Sequence, residues 1–137
     1  MTRKNTAKSL MLTFLKEQGI EARRSKVGIN FDYEGWNFLF WHDAEDPMFF
    51  RLTLPGIFDV TDENYAQALM VCNSINWNFK VVKTSLYEFE EDGKQRASVW
   101  VCYERQLDES DVFGKQVFMA MKALIAAAEQ FEKEMGI

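Results

Sequence analysis

A chain of 137 residues with 47% apolar content is long enough to bury roughly 68% of its unfolded surface without a metal or disulfides. Its formal charge of −5 comes with no basic cluster denser than Arg3/Lys4 and Arg23/Arg24/Lys26, so it lacks the counterion-releasing stripe of a nucleic-acid binder. No apolar run approaches the roughly 18 residues that span a bilayer, and Lys8 and Lys16 break the N-terminal segment too often for a secretory signal, so a soluble cytoplasmic protein is expected.

The first element spans about Asn5 to Gln18, where Ala7, Leu10, Met11, Phe14 and Leu15 recur at spacings of three and four and share one helical face. Gly19 is placed to stop it. Val27, Ile29, Phe31 and Tyr33 then alternate with small or polar residues, the period of a half-buried strand. Glu34-Gly35 turns the chain into a second strand, Trp36 to His42, and the loop Asp43–Pro47 leads to a third, Met48 to Leu54, ended by Pro55-Gly56. A second helix is expected with Thr61 as N-cap, Val60 and Tyr65 as a staple, and Tyr65, Leu69, Cys72 and Ile75 on its inner face to about Asn76.

Strands at roughly Phe79–Glu90 and Gln95–Arg105 follow, joined through Asp92-Gly93, a hairpin signal. The last helix is expected over about Glu109–Glu134, capped by Asp108 and stapled by Leu107 and Val112. Its inner stripe is Val117, Ala120, Met121, Leu124, Ala128, Phe131 and Met135. The order is α-β-β-β-α-β-β-α: an α+β fold with a five-stranded, mainly antiparallel sheet and helices packed on it. Without repeats or Pro/Ser-rich linkers, residues 1–137 read as a single domain.

Thr61-Asp-Glu-Asn-Tyr-Ala-Gln-Ala-Leu-Met-Val-Cys-Asn-Ser-Ile-Asn76, followed by Lys80-Val-Val-Lys83, is a helix with an Asn-x-x-Asn ending that runs into a Lys-Val strand. With the element order and the long C-terminal helix, it resembles the YbjN-like group of the type III secretion chaperone-like fold. That group comprises small bacterial proteins regarded as candidate sensory transduction regulators. The resemblance implies a non-enzymatic domain that often dimerises and, among the secretion chaperones, holds a partner's unfolded segment against its surface. It brings no catalytic motif and no site residues with it.

The residues themselves agree on the absence of chemistry. The single histidine, His42, stands beside Asp43, Glu45 and Asp46, but the loop lacks the glycine and distal glutamate of a calcium site, and the acids read as turn-solvating groups. There is no GxGxxG, P-loop or HExxH. Cys72 and Cys102 lie far apart without companion ligands and read as reduced thiols. No catalytic residue, metal or cofactor is expected.

With 12 Phe, 4 Trp and 4 Tyr, the chain has rings to spare. Trp36, Phe38 and Phe40 share one face of their strand and leave Leu39 and Trp41 on the other. Phe49 faces away from Phe50, Leu52 and Leu54, and Trp100 away from Val99, Val101 and Tyr103. Two arrangements accommodate both apolar faces. Either the first and last helices cover one face and the second helix part of the other, or Leu39, Trp41, Phe49 and Trp100 form a partly exposed interface. Of the methionines, Met11, Met121 and Met135 belong to inner stripes, and Met48 and Met70 are candidates for contact surfaces. The leading expectation is a chaperone- or adaptor-like domain that binds a protein or peptide, as a homodimer. The alternative is a regulatory domain sensing a small apolar ligand in a pocket between sheet and helix.

Overall fold

The computed structural model describes residues 6–137, so Asn5 of the expected first helix lies outside the described residues. Helix α1 spans Ala7–Glu17, and the strands of the first run are β1 (Arg23–Arg24), β2 (Gly28–Tyr33), β3 (Trp36–Trp41) and β4 (Phe49–Val60). Helix α2 covers Tyr65–Asn78, β5 Val82–Glu91, β6 Lys94–Gln106 and α3 Phe113–Met135. The strands form one sheet in the order β1-β2-β3-β4-β6-β5, antiparallel at every pairing. The sheet thus has six strands among the described residues, not five. The extra strand is the arginine pair Arg23-Arg24, set against Asn30 and Ile29. Two exposed charged residues carry no apolar alternation, so no periodicity announces them, and a short charged strand is how many sheets blunt an edge.

Local chemistry explains most of the boundaries. Thr6 caps α1, its hydroxyl accepting from the Ser9 N–H at 3.1 Å. At the other end Ile20 N–H bonds Leu15 C=O and Gly19 N–H bonds Lys16 C=O, the two bonds of a Schellman closure, with Gly19 at φ +72°. The β5–β6 turn has φ of 53° at Asp92 and 77° at Gly93, the left-handed pair of a type I′ hairpin.

Both later helices start farther along than their caps suggest. Thr61 and Asn64 bond reciprocally, each side chain accepting from the other's N–H at 3.4 and 2.7 Å, which folds residues 61–64 into a turn and starts α2 at Tyr65. Asp108 and Asp111 close a similar turn before Phe113, leaving Val112 exposed rather than stapled. The buried stripe of α2 is Ala68, Val71, Cys72 and Ile75, so Tyr65 and Leu69, expected inside, are exposed. The physical reason is that α2 carries no charged residue and is apolar on two sides. Periodicity alone then does not choose the inner one, and small Ala68 permits the closer approach.

Pro55-Gly56 does not end its strand. The register steps from Leu54↔Val101 to Phe58↔Val99, so residues 55–57 bulge opposite Trp100 and β4 continues to Val60. A proline has no N–H to give a ladder, and a bulge is a place where none is required.

All three helices lie on one face of the sheet. Met11, Phe14 and Leu15 of α1, Val71 and Ile75 of α2, and Met121, Leu124 and Phe131 of α3 join Ile29, Phe31, Phe40, Leu52, Leu54, Val99 and Val101 in one buried cluster. Phe50 meets Phe40, Tyr103 and Phe113 edge-on, and Phe58 meets Phe131 at 5.5 Å between ring centres. The expectation that α2 covers part of the opposite face is therefore overturned. It packs against β5 and α3, on the same side as its neighbours.

Strand β5 is the far edge of the sheet, and α2 closes part of it. The Asn76 carboxamide accepts from the Thr84 N–H at 2.7 Å and donates to the Thr84 C=O at 3.1 Å, as a neighbouring strand would. Thr84 is 3% exposed, and its hydroxyl donates to the Cys72 C=O at 3.0 Å. The Asn-x-x-Asn ending of α2 thus supplies an edge cover through its second asparagine.

Candidate functional site: the open face of the sheet

With the helices on one side, the other side of the sheet carries no helix among the described residues. Cross-strand partners share a face, so the pairings Leu39↔Thr53, Thr53↔Cys102, Lys83↔Cys102, Ser85↔Trp100 and Arg51↔Glu104 assign those residues to the open side. Alternation adds Trp41 on β3, Phe49 on β4, and Tyr87 and Phe89 on β5. Trp41, Phe49 and Trp100 are half-buried on this face, whereas Leu39 is only 6% exposed and belongs to its floor.

The rings form a continuous row. Trp41 and Trp100 stand 6.1 Å apart between ring centres, Trp100 and Tyr87 4.7 Å, and Tyr87 and Phe89 5.9 Å in a stacked pair. Both indoles are pinned. Trp41 Nε1 donates to Thr53 Oγ1 at 3.2 Å, and that hydroxyl in turn donates to the Leu39 C=O at 3.2 Å. Trp100 Nε1 donates to Ser98 Oγ at 3.0 Å. Neither ring must give up a hydrogen bond or much rotamer freedom to be covered, which is how a surface is prepared for a contact.

Beside the row lies a charged centre. Glu104 accepts from Arg51 Nε at 2.6 Å through one oxygen and from Lys83 Nζ at 2.8 Å through the other. Burial opposes the charge of Glu104, but the hydrogen bonds from Lys83 and Arg51 outweigh it and hold the carboxyl below its ordinary value. The hydrogen bond to Glu104 likewise raises Lys83. The Arg51 guanidinium lies 5.8 Å from the Trp41 ring centre and 5.6 Å from that of Phe49. Burial, reinforced by Glu104, pushes the nearby Cys102 thiol up to about 12, which leaves it protonated and unreactive at neutral pH. Between these groups and Trp100 is a shallow depression of about 260 Å³.

Periodicity pointed to Leu39, Trp41, Phe49 and Trp100, and the fold brings all four to one face. It put Arg51 on the face of Phe49 without singling it out as a site residue, and it missed Tyr87, Lys83 and Glu104. Alternation in β5 could have named Tyr87, which stands opposite Val82, Thr84 and Leu86 in phase. Its place next to Trp100 depends on β6 entering between β4 and β5, which no local pattern states.

His42 and its acidic loop do not assemble into a centre. Asp43 accepts from the Glu45 N–H at 2.9 Å and Asp46 from Gln106 Nε2 at 2.7 Å, so both carboxylates hold the turn in place. Among the described residues no group of three or more His, Cys, Asp or Glu is arranged to hold a metal ion, and no helix is long and apolar enough to cross a membrane.

The same arrangement of helices and strands occurs in solved structures. YbjN from E. coli, described as a candidate transcription regulator, superposes with a TM-score of 0.62 at 9% identity over 90% of this chain and 87% of its own. An uncharacterized protein from Methanothermobacter thermautotrophicus does so with a TM-score of 0.61 at 12% identity over 91% and 93%. No protein-family model and no curated protein sequence matches the chain. At these identities the likeness establishes a shared YbjN-like fold.

Proposed function

We propose that this YbjN-like chain is a non-catalytic, single-domain polypeptide-binding protein of adaptor or chaperone type, working in the cytoplasm and using the open face of its sheet. The observation that carries the reading is the row Trp41–Trp100–Tyr87–Phe89 on a face that no helix covers. A contiguous, partly exposed aromatic surface is what interfaces are made of, and pinned rings lose little entropy on contact. Tagged wild type, Trp41→Ala and Trp100→Ala are compared by affinity capture from the native lysate and mass spectrometry. A partner held by wild type and lost from both variants, with their folding intact, supports the reading. Equal capture by all three removes the open face from the mechanism.

The homodimer belongs to the same proposal and is assigned to α2. Its outward side presents Met70 at 72% and Trp77 at 86% exposure on a helix free of charge, a surface where two copies of an acidic chain meet without repulsion. Sedimentation of wild type against Met70→Glu and Trp77→Glu tests it: the variants become monomers, whereas an unchanged mass in both excludes α2.

One observation favours the ligand-sensor alternative. A pocket of about 590 Å³ between α1 and the turn before α3 is lined by Leu10, Met48, Leu107 and Phe113, with Asp108, Glu109 and Asp111 on its other side, within the size range of small-molecule sites. Thermal-shift titration with uncharged medium-chain alcohols distinguishes this reading, which requires a shift abolished by Leu10→Asp.

A further inference from the structure

The charged centre of the open face has an imbalance that its own residues do not resolve. One carboxylate, Glu104, faces two cations, Arg51 and Lys83, and both of its oxygens are occupied. Arg51 spends only its Nε on that bond. Among the described residues its two Nη groups carry no hydrogen bond, while Trp41 and Phe49 hold the guanidinium plane in position. A planar fork, fixed on one edge and open on the other, matches a carboxylate in two-point contact. Directly beside it, the depression bounded by Trp41, Tyr87 and Trp100 has room for an apolar side chain.

The rest of the face tells the same story by contrast. Asp32 is paired with Arg23, and at the far end Arg96 is shared between Glu91 at 2.7 Å and Asp59 at 4.0 Å, with Lys94 across from Glu91. At the Arg51–Lys83 centre one carboxylate meets two cations. Charges farther off than about 8 Å are largely screened at physiological salt, so the net acidity of the chain does not decide what docks there.

We infer that the open face recognises a polypeptide segment carrying an acidic residue beside a large apolar one, with the carboxylate on the free Nη groups of Arg51 and the apolar side chain against Trp41, Tyr87 and Trp100. This rests on the polypeptide-binding reading above and specifies its partner. It also reverses the simple expectation that an acidic protein seeks a basic partner.

The test uses the full chain and three short blocked peptides with Phe at alternate positions and Glu, Gln or Lys between them, titrated by calorimetry. The Glu peptide binds at least about tenfold more tightly than the Gln peptide, and the gap narrows as salt rises. Arg51→Gln abolishes the gap, weakening the Glu peptide far more than the Gln peptide. Lys83→Gln narrows it, and circular dichroism confirms that both variants fold. If the Gln or Lys peptide binds as well as the Glu peptide and Trp100→Ala abolishes that binding, the carboxylate inference fails and the polypeptide-binding reading stands. If none of the three binds wild type, both fail.

Discussion

Replacing Asn76 with alanine tests how the free edge of the sheet is kept closed. The substitution removes the acceptor of the Thr84 N–H at 2.7 Å and the donor to its C=O at 3.1 Å. Each such bond contributes about 0.5–1.5 kcal/mol net, and a buried donor left unpaired costs about 1–3 kcal/mol. Two effects reduce the loss. Asn76 is itself exposed, so water reaches the vacated edge, and alanine gains up to about 0.7 kcal/mol in helix propensity. The Thr84 hydroxyl also keeps its bond to the Cys72 C=O. The expected net loss is about 1–2 kcal/mol by urea unfolding. Hydrogen exchange localises it: the Thr84 amide loses protection by more than the global change in stability requires, while Val101, its partner inside the sheet, follows the global value. A Thr84 amide that exchanges as slowly in Asn76→Ala as in wild type refutes the strand-mimic role, whatever the stability.

Three more outcomes follow from the backbone and the charged centre. Val81 is a β-branched residue at φ 57° and 61% exposed, so Val81→Gly relieves about 1–2 kcal/mol of left-handed strain against about 0.5–1 kcal/mol of glycine entropy. The variant therefore matches or exceeds wild type in urea, and a clear loss of stability contradicts this account. A Cβ at Gly28 falls 1.8 Å from the Phe40 carbonyl oxygen, so Gly28→Ala forces β2 and β3 apart and costs about 1–3 kcal/mol by the same assay. Glu104 has a folded pKa below its unfolded one, so its contribution is present above the unfolded value and is lost as pH falls through the folded value. Lys83 runs the other way, its contribution present below its unfolded pKa and lost as pH rises through the folded one. Urea midpoints measured against pH show both flanks in wild type, and both flatten in Glu104→Gln.

Much of this fold is legible in residues that repeat a period. The alternation of Ile29, Phe31 and Tyr33, the Asp92-Gly93 turn and the inner stripe of α3 from Val117 to Phe131 each specify one local geometry, and the structure has it. What escaped detection lacks a period or has two. Arg23-Arg24 is too short and too charged to alternate, and α2 is apolar on both sides. Pro55-Gly56 reads as a stop because sequence does not tell a turn from a bulge. The candidate site divides in the same way. Parity within a strand assigned Trp41, Phe49 and Trp100 to one face, but Arg51, Lys83 and Glu104 come together only because β6 separates β4 from β5.

The bulge opposite Trp100 sets a counting rule for this part of the chain. Leu54 and Phe58 both point toward the helices, four positions apart on β4 and two apart at their partners Val101 and Val99, so the excess is an even number. Shortening residues 55–57 by two would leave a plain ladder with every side chain on its present side. Shortening by one would turn Asp59 toward Phe131 and send Phe58 out among the tryptophans. Unless a bulge absorbs the odd residue, the loop therefore tolerates change in length only in steps of two, a constraint imposed by the pleat and not by any contact the loop itself makes.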